Sequence, residues 1–441
     1  MRNAELGIQP MKIHNPPLPP LAKSVRLETE GGWGGFETSM SQGVIWMEEK
    51  TIDAKNIGLR GVKVADTRIS DVDGEKGILI YRGFNIYDLV SYSTFEEVSF
   101  LLLNDRLPTK EELKGFQKIL ASERVIPSAA FALMKKLPPS AHPMDILQAS
   151  IPMLASYDPE LHEETREANL RKATRLIAKL PNIVASWDRI RKGLKPIRPR
   201  SKLTHAGNFL HLLFGNVPDP ETARDFDICL MLHAEHSFNA STFAGREVAS
   251  THAHLYASIA AAIGALSGEL HGGANSEVMR MLLEIGEVDR VKSWTAEKLQ
   301  KGGKIMGMGH AVYHTEDPRA TILRGISQRL ADRTGDRRWL ELTKAIEAAT
   351  KEEFRKMKGK EIYPNVDFYS ASVYHMMGIP TDLFTPVFAI SRISGWTAHV
   401  IEEKFAEAQP KPELYRPDSD YVGTYCGPQA CEYVPVEKRT S

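Results

Sequence analysis

Residues 233–275, HAEHSFNASTFAGREVASTHAHLYASIAAAIGALSGELHGGAN, decide how the rest of the chain is read. The stretch opens on two histidines, closes on a histidine before a glycine pair, and holds an alanine-rich segment with almost no charge between them. Residues 257–266 are small and apolar, which predicts a helix that its neighbours approach closely, ended by Gly268. His271 then falls in a short connection, where Gly272-Gly273 frees the backbone to turn before Asn275 and a new helical pattern over 277–283. A histidine just ahead of a helix N-terminus tends to stay neutral, because the positive end of the dipole disfavours imidazolium. A neutral imidazole can donate one hydrogen bond to a developing oxyanion. Standing alone, the same residue reads as a turn histidine.

The chain has 441 residues, 42% hydrophobic and 25% charged, enough for two domains and a large core. Lys plus Arg and Asp plus Glu number 56 each, so the charge balance gives no argument for nucleic acid or an acidic membrane surface. Cys229, Cys426 and Cys431 lack zinc or redox spacing, which fits a reducing compartment better than secretion. No apolar run reaches about 18 residues, so no transmembrane helix is expected. The first 23 residues have no apolar core of a signal peptide and are broken by prolines. A cytoplasmic enzyme is the resulting expectation. Residues 1–43, with a proline cluster and GGWGG, read as an extended or poorly ordered arm.

Between 44 and 88 the pattern is short and alternating, with turn signals at Asp73-Gly74 and Lys76-Gly77, and predicts two or three small strands. Almost everything after that is helical. Thr109 and Glu112 form a capping box, and Pro138-Pro139, Pro152, Pro181 and Pro196 punctuate further apolar-periodic segments. Residues 163–179 are charged on one face, most simply a solvated helix surface, and 225–236, DFDICLMLHAEH, read as a helix delivering His233 and His236 at its C-terminal end. Residues 272–375 carry more charge and several loops, with a long helix over 338–358. They are read as a small helical domain inserted into a large one of 44–271 and 376–441, with the chemistry between the two.

Four ionisable residues stand in unusual contexts. His310 follows a glycine- and methionine-rich run in GMGHAVY. Asp317-Pro318-Arg319 is a helix start, with Asp as cap and Pro at the first position, so Arg319 projects from the first turn. Asp367 lies in the first turn of a helix opened by Pro364-Asn365, where the dipole keeps a carboxylate ionised and able to act as a base. Arg392 sits within the apolar helix FAISRISGW, a strange place for a permanent charge. Each has a plainer reading when taken alone: a dipole-complementing aspartate, a backbone-bonded loop histidine, an exposed arginine, a structural ion pair. The histidines of HAEH and His252-Ala-His254 lack a clear third ligand, so no metal site is expected. Nucleotide-cradling GxGxxG and GxxxxGK[ST] patterns are missing.

Taken together, HAEHSFNAST, ELHGGAN, GMGHAVYHTEDPR, YPNVDFYS and FTPVFAISRISGWTAHVIEE, in this order and separation, resemble the citrate synthase family, including the 2-methylcitrate synthases. The resemblance extends over 58–439. It implies an all-α, two-domain helical fold with a small N-terminal β element, acting as a homodimer without a permanently bound cofactor. It implies that His271, His310 and Asp367 are the catalytic residues, with oxaloacetate and acetyl-CoA, or propionyl-CoA, as substrates. His236, Arg319 and Arg392 match positions that bind the dicarboxylate, Phe388 an aromatic residue packed near it, and Arg416 an arginine reaching in from the partner subunit. His233 matches a structural position. The backbone of Met306, Gly307, Met308 and Gly309 matches a loop that contacts CoA, and His314 and Arg82, a recurrent arginine, are counted with it as CoA-binding candidates. Ala311, His314 and Asp418 stand where basic residues are common, which leaves fewer cations for the CoA phosphates.

The leading expectation is therefore condensation of acetyl-CoA with oxaloacetate to citrate. The same site with propionyl-CoA would make 2-methylcitrate, and one methylene in an apolar pocket is worth only about 1–3 kcal/mol. Cleavage of citryl-CoA would use that site in reverse. A catalytically silent helical scaffold is the reading from another class, and an intact His271, His310 and Asp367 argues against it.

Overall fold

A computed structural model describes residues 58, 59, 61–424 and 431–439. The arm expected over 1–43 lies outside these residues, as does Cys426. Contacts divide the chain into Met1–Val62 and Lys63–Ser441. Within the first unit a turn is closed by Val62 N–H donating to Leu59 O at 3.0 Å. All that follows concerns the second.

Three short strands come first: β1 (Ser70–Asp73), β2 (Ile78–Tyr81) and β3 (Phe84–Asn85), antiparallel in that order, with Ser70 opposite Tyr81 and Tyr81 opposite Phe84. Asp73 makes the β1–β2 turn by accepting from the N–H groups of Glu75 and Lys76 at 3.1 and 2.9 Å. The tip of this hairpin is flush with a later loop. A Cβ on Gly74 would lie 2.1 Å from Val312 O, and His314 N–H donates to Gly74 O at 3.0 Å.

Sixteen α-helices follow among the described residues. They are α1 (Ile86–Tyr92), α2 (Phe95–Asn104), α3 (Lys110–Glu123), α4 (Ser128–Met134), α5 (Pro143–Ala155), α6 (Arg166–Arg191), α7 (His205–Phe214) and α8 (Pro220–His233). Then come α9 (Ala240–Ser250), α10 (Leu255–Leu266), α11 (Ala274–Ile285), α12 (Val291–Gln300), α13 (Pro318–Thr334), α14 (Arg338–Lys358), α15 (Val366–Met376) and α16 (Phe384–Lys404). Side-chain caps start many of them. Thr109 and Glu112 form the reciprocal capping box on α3, while Asp219, Asn239, Asp317 and Asn365 each accept a backbone N–H at the start of their helix. No helix among the described residues is long and apolar enough to cross a membrane.

Several sequence expectations are corrected. Pro152 and Pro181 lie inside α5 and α6 rather than between helices. A proline costs about 3 kcal/mol in a helix interior, and here the buried neighbours Ile151, Leu154, Leu180 and Ile183 offset it. The charged face of 163–179 is exposed at Glu163, Glu164, Glu167 and Arg171, but Lys172 is an exception, its Nζ buried on Leu161 O and Glu163 O. α8 stops at His233, so His236 follows the helix instead of ending it, and Ser237 turns the chain at φ 51°. α10 starts two residues earlier than its alanines suggest, because the His254 ring accepts Ala257 N–H as its cap. Cys431 is disulfide-bonded, which the cysteine spacing did not suggest, while Cys229 is a buried thiol.

α16 is buried along its whole length and packs on α2, α5, α6, α8, α9, α10 and α11. α11 to α15 pack among themselves, with α13 and α11 on α15 and α12 on α14. The loop after α8 presses onto α16 at Gly395, whose N–H donates to Ala234 O at 3.1 Å. A Cβ there would lie 2.4 Å from Ala234 O and 2.2 Å from Glu235 Oε2. Gly395→Ala is therefore expected to lower unfolding stability by about 1–3 kcal/mol, the usual cost of overpacking, despite alanine's better helix propensity. Urea unfolding of the two proteins measures it, and equal midpoints would mean that the loop moves away at no cost.

Candidate active site

Four chain segments converge here: the loop after α8, the turn between α10 and α11, the loop leading into α13, and the first turn of α15. α16 forms the floor. His271 lies two residues ahead of the α11 N-cap, Gly273. Its Nε2 accepts Ser241 N–H at 3.2 Å. A backbone N–H can only donate, so the proton of the neutral ring sits on Nδ1. The Ser241 hydroxyl is 2.8 Å from the same Nε2 and is fixed by the Trp396 indole N–H at 3.1 Å and Asn239 Oδ1 at 2.7 Å. Burial first, then the charge of Arg392, hold the His271 ring down at about 4.

His310 has the opposite tautomer. Its Nδ1 accepts from the backbone N–H groups of Val312 and Tyr313 at 2.9 and 3.1 Å, which puts the proton on Nε2. Burial, followed by Arg319, holds this ring at about 4, against the opposing charge of Asp317. Two imidazoles are thus neutral, and each keeps one N–H for something other than the protein backbone. His236 stands beside them, 5.4 Å from the His310 ring between centroids and 3.3 Å from the Tyr313 hydroxyl through Nε2. Burial and then Arg319 hold it well below its usual value.

The glycine run before His310 is laced to the start of α15. Gly309 N–H donates to Tyr363 O at 2.8 Å, Asn365 N–H to Gly307 O at 2.9 Å, and Asn365 Nδ2 to Gly309 O at 2.8 Å. Gly307 has φ 77° and lies so close to α15 that a Cβ would meet Phe368 Cα at 2.9 Å. This lacing holds the loop of His310 to the helix of Asp367. Asp367 makes no side-chain hydrogen bond through its carboxylate among the described residues. Burial lifts its carboxyl to about 6, with Arg319 and Arg392 pulling it down and Asp317 pushing it up.

Arg319 and Arg392 supply fixed positive charge. Arg319 is fully buried and bidentate on Asp317, with Nε to Oδ1 at 3.0 Å and Nη2 to Oδ2 at 2.8 Å. Arg392 sends only Nε to the protein, to His233 O at 2.7 Å, and lies over the Phe388 ring at 4.7 Å. Burial lowers its guanidinium to about 10, with Glu235 opposing, so it is still charged at neutral pH. Each of His236, His271, His310 and Asp367 feels one or both arginines.

The other expected residues are spread more widely. His233 is buried, its Nδ1–H donating to Cys229 O at 2.8 Å. Arg82 is not in the cluster: its guanidinium is spent on Leu102 O at 2.9 and 3.2 Å and on Asp105 at 3.2 Å, a clamp on the end of α2. His314 is exposed beside Glu75 at the hairpin tip. Met306 and Met308 are partly buried against the core. Arg416 is exposed, just after Tyr415, whose hydroxyl donates to Glu403 at 2.9 Å. Asp418 is also exposed. Among the described residues no group of three or more His, Cys, Asp or Glu could hold a metal ion. A cavity of about 820 Å³ between α8 and α13 contains none of the candidate residues, so chemistry rather than volume locates the site.

Sequence reasoning missed Ser241, Trp396, Tyr313 and Asn365. Ser241 and Asn365 sit in NAST and YPN, which look like helix starts, and nothing local says that their backbone groups also orient a histidine or a loop.

Residues 58–418 match the family model described as citrate synthase, C-terminal domain. The chain is 44% identical over 383 residues to citrate synthase 2 of Bacillus subtilis, covering 87% of this chain and 98% of that protein. It is 42% identical over 366 residues to a 2-methylcitrate synthase of Mycobacterium tuberculosis, covering 83% and 90%. A solved citrate synthase from Thermoplasma acidophilum, described as a ternary complex with carboxymethyl coenzyme A and oxaloacetate, superposes with TM-score 0.79 at 30% identity over 86% of this chain and 99% of that one.

Carbon-13 spectra of carboxyl-labelled aspartate should contain a signal with a midpoint near pH 6 that disappears in Asp367→Asn. Its folded value lies above the unfolded 3.8, so this group favours the fold at low pH, and that contribution is lost as pH rises through about 6. A midpoint at the ordinary value would mean that the site is wet.

Proposed function

The chain belongs to the citrate synthase family, and on that premise we propose that it joins the methyl carbon of acetyl-CoA to the keto carbon of oxaloacetate and hydrolyses the product thioester to citrate and CoA. It is an acyltransferase. What supports the mechanism is the pair of buried histidines whose backbone partners fix opposite tautomers, together with the buried Asp367 carboxyl lifted to about 6, all within the field of Arg319 and Arg392.

In this reading Asp367 takes a proton from the acetyl methyl group. A carboxylate lifted to about 6 is a stronger base than an ordinary one and still ionised at neutral pH. The electrons move into the thioester carbonyl, and His271 Nδ1–H donates to the oxygen on which charge develops. His310 Nε2–H donates to the keto oxygen of oxaloacetate and gives up its proton as the carbon–carbon bond closes. Water then attacks the citryl thioester carbonyl, returning a proton to the His310 ring, the carbon–sulfur bond breaks, and CoA leaves as the thiol with the proton that Asp367 took up. A neutral ring suffices for each donation, and its weaker pull on the ground-state dicarboxylate leaves more of the interaction for the charge that forms in the transition state.

Oxaloacetate brings two carboxylates. His236, Arg319 and Arg392 bind them in this reading, with Phe388 packed below, and guanidinium is preferred for its planar two-point grip. Arg416 completes the site from the partner of a homodimer, which accounts for its exposure after α16. The backbone of Met306 to Gly309 and the exposed His314 contact CoA. Residues 272–375 form the small domain that closes over the substrates, and the enzyme works in the cytoplasm.

Thiol release should follow addition of oxaloacetate with acetyl-CoA, with kcat/KM higher than for propionyl-CoA; the reverse preference would reassign the enzyme to 2-methylcitrate synthesis. Asp367→Ala should lower kcat by about 10²–10⁴-fold and His271→Ala by roughly 10²–10³-fold. Co-expressed Asp367→Ala and Arg416→Leu chains should recover turnover that neither has alone, because one site of the mixed dimer is intact. No recovery would remove Arg416 from the partner's site.

A further inference from the structure

Arg392 raises a question that substrate binding leaves open. Its helix is buried on every side, its Nε is committed to His233 O at 2.7 Å, and no carboxylate hydrogen-bonds to it among the described residues. An isolated buried charge is costly, so something in the empty protein must balance it. Arg319 meets the same need by direct bidentate pairing with Asp317.

Glu235, two residues beyond that His233 carbonyl, is a fully buried carboxylate. Its Oε1 is 2.9 Å from both Ser70 Oγ and His399 Nε2. Its Oε2 has no hydrogen-bond partner and is seated against Gly395, where a Cβ would come within 2.2 Å. Arg392, Gly395 and His399 are spaced three and four residues apart and share one face of α16. The carboxylate therefore lies along the face that carries Arg392.

It is also locked there. Arg246 Nη1 is 3.0 Å from His399 Nδ1 and can only donate, so His399 carries its proton on Nε2 and gives it to Glu235. Arg246 is in turn held by Glu402 at 2.7 Å and Glu403 at 2.6 Å.

We propose that Glu235 is a positioning residue for the reaction, the fixed counter-charge of Arg392, held off from direct contact so that the outer guanidinium nitrogens are left for a carboxylate of the substrate. This rests on the reading that Arg392 binds oxaloacetate. The charge that stabilises the empty site also competes with the incoming anion. Removing it should make the empty protein less stable and its grip on the dicarboxylate tighter, a combination that loss of a merely structural contact would not produce.

The test is calorimetric titration of the full-length protein with oxaloacetate, together with thermal unfolding with and without it. Glu235→Gln should lower the Tm of the empty protein, enlarge the Tm rise caused by oxaloacetate, and lower Kd on the order of fivefold. In an Arg392→Gln background the same substitution should not tighten binding. An unchanged or higher Kd in Glu235→Gln, or equal tightening in both backgrounds, overturns the counter-charge role. If Arg392→Gln by itself leaves Kd unchanged, the substrate reading of Arg392 fails, and the proposal with it. Should Glu235→Gln not fold, Glu235→Asp, which keeps the charge but withdraws it by one methylene, is expected to tighten binding roughly twofold; unchanged or weaker binding overturns the role equally.

Discussion

α16 has no face left for water, yet it carries Arg392, His399, Glu402, Glu403 and Lys404. Charges in such a place persist only when each is answered by another group within reach. The answers come from many parts of the chain: the His233 carbonyl from the end of α8, Glu235 from the loop after it, Arg246 from α9, the Arg68 backbone N–H from before β1, Glu164 from before α6. Satisfying this one helix fixes where those segments lie. The small sheet, the α8 loop and α9 are all fastened to it through polar groups as well as through apolar packing.

The same arrangement sets the electrostatics of the site. Burial and two arginines make imidazolium expensive, so His236, His271 and His310 are neutral across the ordinary pH range. Burial also raises the Asp367 carboxyl, but the arginines keep that rise to about 6. One set of positive charges thus keeps the histidines as hydrogen-bond donors and the carboxylate as a base. Neither effect needs a metal ion, and both depend on keeping water out.

Much of this was legible beforehand because the signals are local. Asp317-Pro318 is a cap and a first-turn proline in sequence and in structure alike, while Arg319 turns back onto Asp317 instead of projecting. Asn365 and Asp367 are likewise where a helix start puts them. The errors came where packing overrode a local rule. Pro152 and Pro181 look like breaks, but well-covered neighbours hold their helices together. HAEH looks like helix to its end, but Gly395 gives the loop a surface to turn on, and the chain leaves the helix at His233. Arg82 matches a recurrent position, while only the fold shows its guanidinium already taken.

What the sequence determined by itself was the list of chemical parts and the helical frame that presents them, because capping, periodicity and glycine turns act over a few residues. Five ordered motifs were enough to indicate the family. What only the tertiary structure decided was the state of each part: which ring nitrogen carries the proton, which arginine is paired, which carboxylate is lifted. Those properties depend on groups far apart in sequence, such as Ser241 with His271 and Glu235 with His399, brought within 3 Å or so by the burial of one helix. Hydrogen bonds and desolvation act over such distances in space, and no pattern along the chain records them.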